Sequence, residues 1–340
     1  MIVDDDTWIQ SDEEDNFPST CPDILWNELV ANSQKSGWLK KLSRGLIKKK
    51  LLQKWSFRFF ALNNNKLYYF KDPSNAFPSG VIDFDQVSMV LLSEENMMIL
   101  KPQNSNFSIS LRLYNEPELS TWRSLIENII NSSKGKQLGR VRLGKKDLFW
   151  KFERIPESEF IENADTGDIL LFRSENFASK LTRTFTRSTY DHVALIIKYV
   201  SGKVALLEAT NAEGVSILMW DDFIGNKWHT FNSRLVWRRL NVEKTDEMMM
   251  KLEEFVQKVQ GKSFNLTASK ILNGENVNPG DEAGFFCSEL VASGYKAMGV
   301  ISTEFCASKY WPQDFSKEKE IIMEAGARLD RELLIDFEIE

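Results

Sequence analysis

The 340-residue sequence has three cysteines, two histidines and no basic residue in its first thirty positions. Three thiols in a chain this long give no disulfide framework and fit a reducing compartment. Two histidines leave histidine-dependent chemistry two addresses, His192 and His229. Neither residue type recurs at metal-ligand spacing, so no metal is expected, and neither a cofactor nor a nucleic-acid partner is expected. Uncharged runs stop at about ten residues, too short to cross a bilayer as a helix. The opening Met1-Ile2-Val3-Asp4-Asp5-Asp6 is too acidic for a signal or transit peptide, and it lacks a myristoylation glycine. The end, Phe337-Glu338-Ile339-Glu340, offers no prenylation cysteine. The expectation is a soluble cytoplasmic protein. Its hydrophobic share of 42% and charged share of 27% suffice for a real core, and its length suggests two domains.

The net charge of −6 is a sum of unlike parts. Residues 1–30 hold nine acids and no base, and residues 31–60 hold nine bases and no acid. Two readings stand: a solvated acidic tail beside a basic surface, or a tail that shields this surface until a stronger anion displaces it.

Residues 1–35 therefore read as an acidic, disordered tail. Residues 36–132 read as a small β-domain. Gly37-Trp38-Leu39-Lys40-Lys41 and Trp55 to Leu62 alternate, Asn63-Asn64-Asn65 is a turn, and Lys66 to Lys71 returns. Residues 80–84, 96–100 and 106–111 are further strands. Leu119, Trp122, Ile126 and Ile129 then define one helix face. Asn115 with Glu118, and Pro117 in the first turn, mark its start. Seven or so strands closed by a helix describe a barrel with a helical plug.

Residues 133–165 are polar, turn-rich and basic, and read as a linker with a few anchoring side chains. Residues 166–316 read as a second domain. Gly167-Asp168 leads into a strand, residues 177–185 suit a short amphipathic helix, and His192 opens a buried strand that turns at Ser201-Gly202 into Lys203–Thr210. A helix spans about Asp246 to Val259 and ends at Gly261. Gly284-Phe285-Phe286-Cys287 runs into another helix, whose first turn starts at the cysteine.

That placement suits a nucleophile. A thiol is weak at neutral pH until it becomes a thiolate, and a helix start favours the anion. A histidine takes the thiol proton and returns it to the leaving group, and a third polar group fixes the imidazole. Cys287 and His192 are the candidates. Amides near Cys287 and Ser288 suit an oxyanion, and Tyr190 is placed to line the site. For the third group, loop length decides: a two-residue turn sets Asn211 opposite His192, and a three-residue turn brings Glu208 to its face. Cys21 lies among carboxylates, Cys306 lacks a strand-to-helix context, and His229 suits packing.

The landmarks Gly37-Trp38-Leu39-x-Lys41, Trp55-x-x-Arg58-x-Phe60-x-Leu62, Leu67-Tyr68-Tyr69 and Trp122 make the first domain resemble a pleckstrin homology (PH) domain. The resemblance implies an anionic head group, a phosphoinositide among the candidates, at the mouth between the first two strands. The connecting loop there is expected to supply Lys41, Arg44, Lys48, Lys49, Lys50 and Lys54, flanked by Lys40 and Arg58. Such cations attract an anionic leaflet at about 1 kcal/mol each. Phosphoinositide-binding members usually carry a base two residues before the second-strand arginine, where this sequence has Ser56.

The second domain resembles the permuted NlpC-type papain-like proteins, the YiiX-like group, which are similar to lecithin:retinol acyltransferase-type enzymes. The matching residues, in order, are Gly167-Asp168-Ile169, His192-Val193-Ala194, Leu207-Glu208-Ala209, Gly261-Lys262-Ser263-Phe264-Asn265, Cys287-Ser288-Glu289-Leu290-Val291 and Pro312-Gln313-Asp314-Phe315. The resemblance favours Glu208 as the third member.

Residues 317–340 place Leu329, Leu333, Leu334 and Phe337 at helical spacing, so an amphipathic helix is expected. The fold class expected is multidomain: a PH-like β-barrel with a C-terminal helix, then an α+β papain-like domain. The function expected is a thiol hydrolase or acyltransferase acting on an amide or ester, held peripherally at an anionic membrane. The alternatives are an amidase or peptidase on small peptides, and a catalytically silent membrane adaptor.

Overall fold

A computed structural model describes residues 29–47, 50–71, 77–143, 149–174, 189–265, 284–319 and 321–337. Most of the acidic tail, Lys48, Lys49 and the helix expected at 177–185 lie outside the described residues. The chain divides into two compact units, Met1–Glu153 and Arg154–Glu340.

The first unit holds seven strands: β1 Lys35–Ile47, β2 Lys50–Asn63, β3 Lys66–Phe70, β4 Gly80–Asp83, β5 Met89–Glu94, β6 Met97–Pro102 and β7 Ile109–Arg112. They form one antiparallel sheet in the order β4-β3-β2-β1-β7-β6-β5. Helix α1, Glu116–Ser132, begins where Asn115 accepts the Glu118 amide, and it buries Leu119, Trp122, Ile126, Ile129 and Ile130. These side chains meet Leu39, Phe60, Leu67, Phe84 and Leu111 in the core.

One expectation needs correction. Of the cations assigned to the β1–β2 loop, Lys41, Arg44, Lys50 and Lys54 stand on the strands themselves, because β1 and β2 stay paired from Lys35↔Leu62 out to Ile47↔Lys50. Each added pair satisfies backbone donors and acceptors that a loop would leave to water. Arg44, Lys50 and Lys54 are thus strand residues. The stretch 133–165 carries anchoring side chains. Leu143, Phe149 and Trp150 are buried in the first unit's core, and the Lys134 amide donates to Asp85 at 2.9 Å. Gly135 passes so close to Phe84 that an added Cβ would lie 2.2 Å from its carbonyl oxygen.

The second unit is built on a seven-stranded sheet. Its strands are β8 Glu153–Ile155, β9 Ile169–Ser174, β10 His192–Lys198, β11 Val204–Thr210, β12 Gly214–Met219, β13 Asn232–Arg238 and β16 Leu333–Ile335. The spatial order is β12-β11-β10-β9-β13-β16-β8, and β14 Leu240–Asn241 pairs separately with β15 Arg328–Leu329. One face packs Ala194, Ile196 and Leu206 with Phe160, Trp220 and Trp237. The same unit holds helices α2 Glu157–Asn163, α3 Trp220–Gly225 and α4 Asp246–Val259. Helix α4 is capped by the Thr245 side chain, which accepts the Met248 amide. Helix α5, Cys287–Met298, packs on β10 and β11. At Gly294 an added Cβ would stand 3.3 Å from the Leu195 side chain, so glycine sets that approach.

The C-terminal segment is extended, not helical. Leu333 and Leu334 pair with Trp237 and Val236, and Leu329 pairs with Leu240. Ala325 and Gly326 adopt positive φ values of 55° and 69°, which end any helix there. The apolar spacing suits a helix, but the edge of β13 offers backbone partners and a covered face, and tertiary pairing wins. Among the described residues, no helix is long and apolar enough to cross a membrane.

Candidate active site

The approach to Cys287 is set by backbone contact. Phe285 donates its amide to Ser263 at 3.0 Å, and Asn265 donates to Phe285 at 3.1 Å. At Gly284 an added Cβ would fall 1.6 Å from the Ser263 carbonyl oxygen, so no side chain fits. The Gly261–Asn265 motif is therefore the rail along which the chain enters α5. Its other edge is pinned by Val215, whose amide donates to Lys262 and whose carbonyl accepts from Gly261, each at 2.8 Å. Phe286 stacks on Trp311 with ring centroids 5.9 Å apart, and Glu289 reaches back to accept the Phe286 amide.

Cys287 then opens α5, a half-buried thiol at a helix N-terminus. The first amide to bond back within the helix is that of Leu290, to Phe286. The amides of Cys287 and Ser288 have no acceptor within the helix, as the first turn of any helix requires. Ser288 itself is fully buried and its hydroxyl has no partner among the described residues. What Ser288 can offer an oxyanion is its amide rather than its side chain.

His192 is the first residue of β10, opposite Phe172 of β9. Its Nε2 lies 2.8 Å from Glu208 Oε2, and Cys287 acts on the same ring to raise its pKa. With Nε2 on the carboxylate, Nδ1 is the nitrogen left for the thiol. Burial alone would lower the His192 pKa, but the hydrogen bonds and charges of Cys287 and Glu208 prevail and push it up to about 10. These partners favour the protonated imidazole.

The β10–β11 hairpin decides the third residue. Lys198 pairs with Val204 and the Tyr199 amide donates to Lys203 at 2.9 Å, leaving the three-residue turn Val200–Gly202 with Gly202 at φ 83°. That count puts Glu208 on the histidine's face. Asn211 sits exposed in the turn beyond β11. Tyr190 does not line an opening: it is buried and its hydroxyl donates to Glu332 at 2.9 Å. Asp168 is an anchor, accepting from the Leu240 amide, the Trp237 indole and the Asp165 amide. Cys306 precedes a short 3-10 turn, and the His229 ring packs on Phe337 at 4.7 Å. Among the described residues, no three His, Cys, Asp or Glu side chains gather as a metal group.

In the first unit, register places Lys41 opposite Ser56 and Leu39 opposite Arg58. Leu39 is core, so Lys41, Ser56 and Arg58 share the inward face. Lys41 Nζ lies 5.1 Å from the centre of the Tyr69 ring and 6.0 Å from that of Trp150. Arg58 donates to the Phe57 carbonyl at 2.6 Å; burial lowers its pKa, against the pull of the Tyr69 phenol. Lys40 faces outward over Phe57. Lys48 and Lys49 lie outside the described residues, and the side chains of Arg44, Lys50 and Lys54 are likewise outside them.

Sequence reasoning missed Tyr69 and Trp150 beside Lys41, and Phe172 against His192, with ring centroids 5.0 Å apart. Tyr69 was open to strand-pairing arithmetic, since it faces Phe60. Phe172 and Trp150 carried no local signal.

Two family models match. Residues 163–316 match the permuted papain-like amidase enzymes of the YaeF/YiiX C92 family, and residues 33–131 match the PH domain. The chain thus joins a PH domain to a papain-like domain of the amidase class, a hydrolase fold. Among solved structures it is similar to the metalloprotein YiiX from Escherichia coli O157:H7, at 23% identity over 50% of this chain and 88% of that one, TM-score 0.31. It is also similar to the PH domain of ArhGAP27, at 22% identity over 28% of this chain and 97% of that one, TM-score 0.23. The C-terminal PH domain of pleckstrin, bound to D-myo-Ins(1,2,3,5,6)P5, is 23% identical over 29% of this chain and 95% of that one, TM-score 0.23. No curated protein matches the chain.

Proposed function

We propose that the protein is a cysteine hydrolase that cleaves an amide or ester through an acyl-Cys287 intermediate, and that its PH domain brings it to anionic membrane lipid. The observation that carries this reading is His192, 2.8 Å from Glu208 and raised in pKa by Cys287 and Glu208 together. The Cys287 thiolate attacks the carbonyl carbon, and the amides of Cys287 and Ser288 receive the oxyanion. The His192 imidazolium gives its proton to the departing amine or alcohol. Neutral His192 then takes a proton from water as the oxygen attacks the thioester, and Cys287 leaves as thiolate. An alcohol or amine in place of that water would make the same intermediate an acyl-transfer step. Glu208 holds the imidazole ring and stabilises its charge. On the PH domain, Lys41 and Arg58 carry the anion, with Lys40, Arg44, Lys48, Lys49, Lys50 and Lys54 adding positive charge nearby. Ser56 leaves that inner face one cation short, which favours general anionic lipid over one head group.

Acyl capture tests the enzyme reading. Incubation with p-nitrophenyl butyrate should add one butyryl group at Cys287, removable by hydroxylamine and lost in His192→Ala. Acylation elsewhere, or none, would overturn it.

A further inference from the structure

The three residues that lead into His192 are each tied down by side-chain hydrogen bonds. Thr189 Oγ1 donates to Glu318, with both carboxylate oxygens within 3.1 Å. Tyr190 Oη donates to Glu332 Oε2 at 2.9 Å. Asp191 accepts the Ser174 amide at 3.0 Å and the Ser174 hydroxyl at 3.0 Å, while its own amide donates to Phe172 at 3.0 Å. Two of these three anchors come from beyond residue 316, where the amidase-family match ends.

The anchors are themselves fixed. Glu332 is buried at 5% exposure, and its second oxygen accepts the Lys317 amide at 2.8 Å. Arg238, also buried, donates to the carbonyls of Phe315, Leu329 and Asp330 at 2.7 to 2.9 Å. That guanidinium ties the chain on either side of residues 316–328 to β13. The strand β16 then adds backbone pairing from Leu333, the residue after Glu332.

A strand's first residue has paired backbone on one side only, so its side chain follows whatever fixes the run-in. His192 holds that position, and its ring must meet Cys287 and Glu208 together. An error of about 1 Å in such a placement costs about a hundredfold in rate. We propose that Glu332 and Glu318 are positioning residues for His192, acting through Tyr190 and Thr189. The segment 317–337 is then a working part of the site rather than an appendage. Tyr190 suits this role: burial and the Glu332 carboxylate raise its pKa well above the ordinary tyrosine value, so it stays a donor.

This proposal rests on the Cys287–His192 reading, and the test separates the two. The rate of Cys287 alkylation by iodoacetamide is measured from pH 5 to 10 in the full chain, with melting temperature recorded for each variant. Tyr190→Phe and Thr189→Val remove one hydroxyl each and leave the core filled; Glu332→Ala is the stronger change. Phe223→Leu, in the core cluster, serves as a destabilised control. The expected result is that Tyr190→Phe and Glu332→Ala lose about tenfold in rate near pH 6 and shift toward an ordinary thiol profile, with a smaller loss in Thr189→Val. The control should melt earlier with an unchanged profile. Wild-type profiles in Tyr190→Phe and Glu332→Ala would overturn the positioning role alone. An ordinary thiol profile already in the wild type, unmoved by His192→Ala, would overturn the underlying reading and the positioning role with it.

Discussion

The two units offer two ways of holding a charged group. In the papain-like unit, buried polar groups are held by directed hydrogen bonds: Asp168 by two amides and an indole, Arg238 by three carbonyls, His192 by Glu208. In the PH unit, cations lie over rings: Lys35 over Trp122, Lys40 over Phe57, Lys41 over Tyr69, and Arg112 over Trp55 at 4.2 Å. A ring face attracts a cation without using its N–H donors, at about 0.5–1 kcal/mol when exposed. Directed hydrogen bonds fix a group's position and orientation, whereas a ring face fixes only the position of the charge.

Substitutions can break that contrast, and the greatest effect falls on the fixed geometry. Gly284→Ala forces the chain away from Ser263, so acylation at Cys287 should fall about a hundredfold with the thiol intact; a wild-type rate would mean that the rail does not place the nucleophile. Asp168→Ala strands three donors and should cost about 3 kcal/mol in denaturant unfolding. In the PH unit, Lys41→Ala with Arg58→Ala removes two cations, about 2 kcal/mol, and should weaken sedimentation with phosphatidylserine vesicles about 30-fold. Acylation by p-nitrophenyl butyrate in solution should not change, which is how the two units' roles are told apart. The smallest effect is one of pH. His192 is raised from its ordinary 6.5 to about 10, so its protonation favours the folded state. That stability is fully present below pH 6.5 and is lost as pH rises through about 10. Turnover needs the imidazolium, so it should fall above about pH 10, while alkylation, which needs only the thiolate, should not.

Much of this was legible from local chemistry. Asn115 and Pro117 mark the start of α1, Thr245 that of α4, and the Phe286–Cys287 junction that of α5, because caps act within one turn. Glu208 was undecided because face depends on loop parity, and one residue in the Val200–Gly202 turn flips it. The C-terminal leucines mislead for a different reason. Spacing of Leu329, Leu333 and Leu334 reports a hydrophobic face, and only the exposed edge of β13 makes that face a strand. Strand β5 was missed because Glu94 and Glu95 mask its pairing with β6. Trp150 and the Tyr190–Glu332 contact join residues far apart in sequence, where no local pattern exists.

The most direct test is the rate at which iodoacetamide alkylates Cys287 at pH 6, followed by peptide mass spectrometry in wild type and His192→Ala. A thiolate held by His192 should react about a hundredfold faster than an ordinary thiol of pKa near 8.5, and that advantage should vanish in His192→Ala. A wild-type rate equal to that of an ordinary thiol, or one unchanged in His192→Ala, would contradict Cys287 as the activated nucleophile.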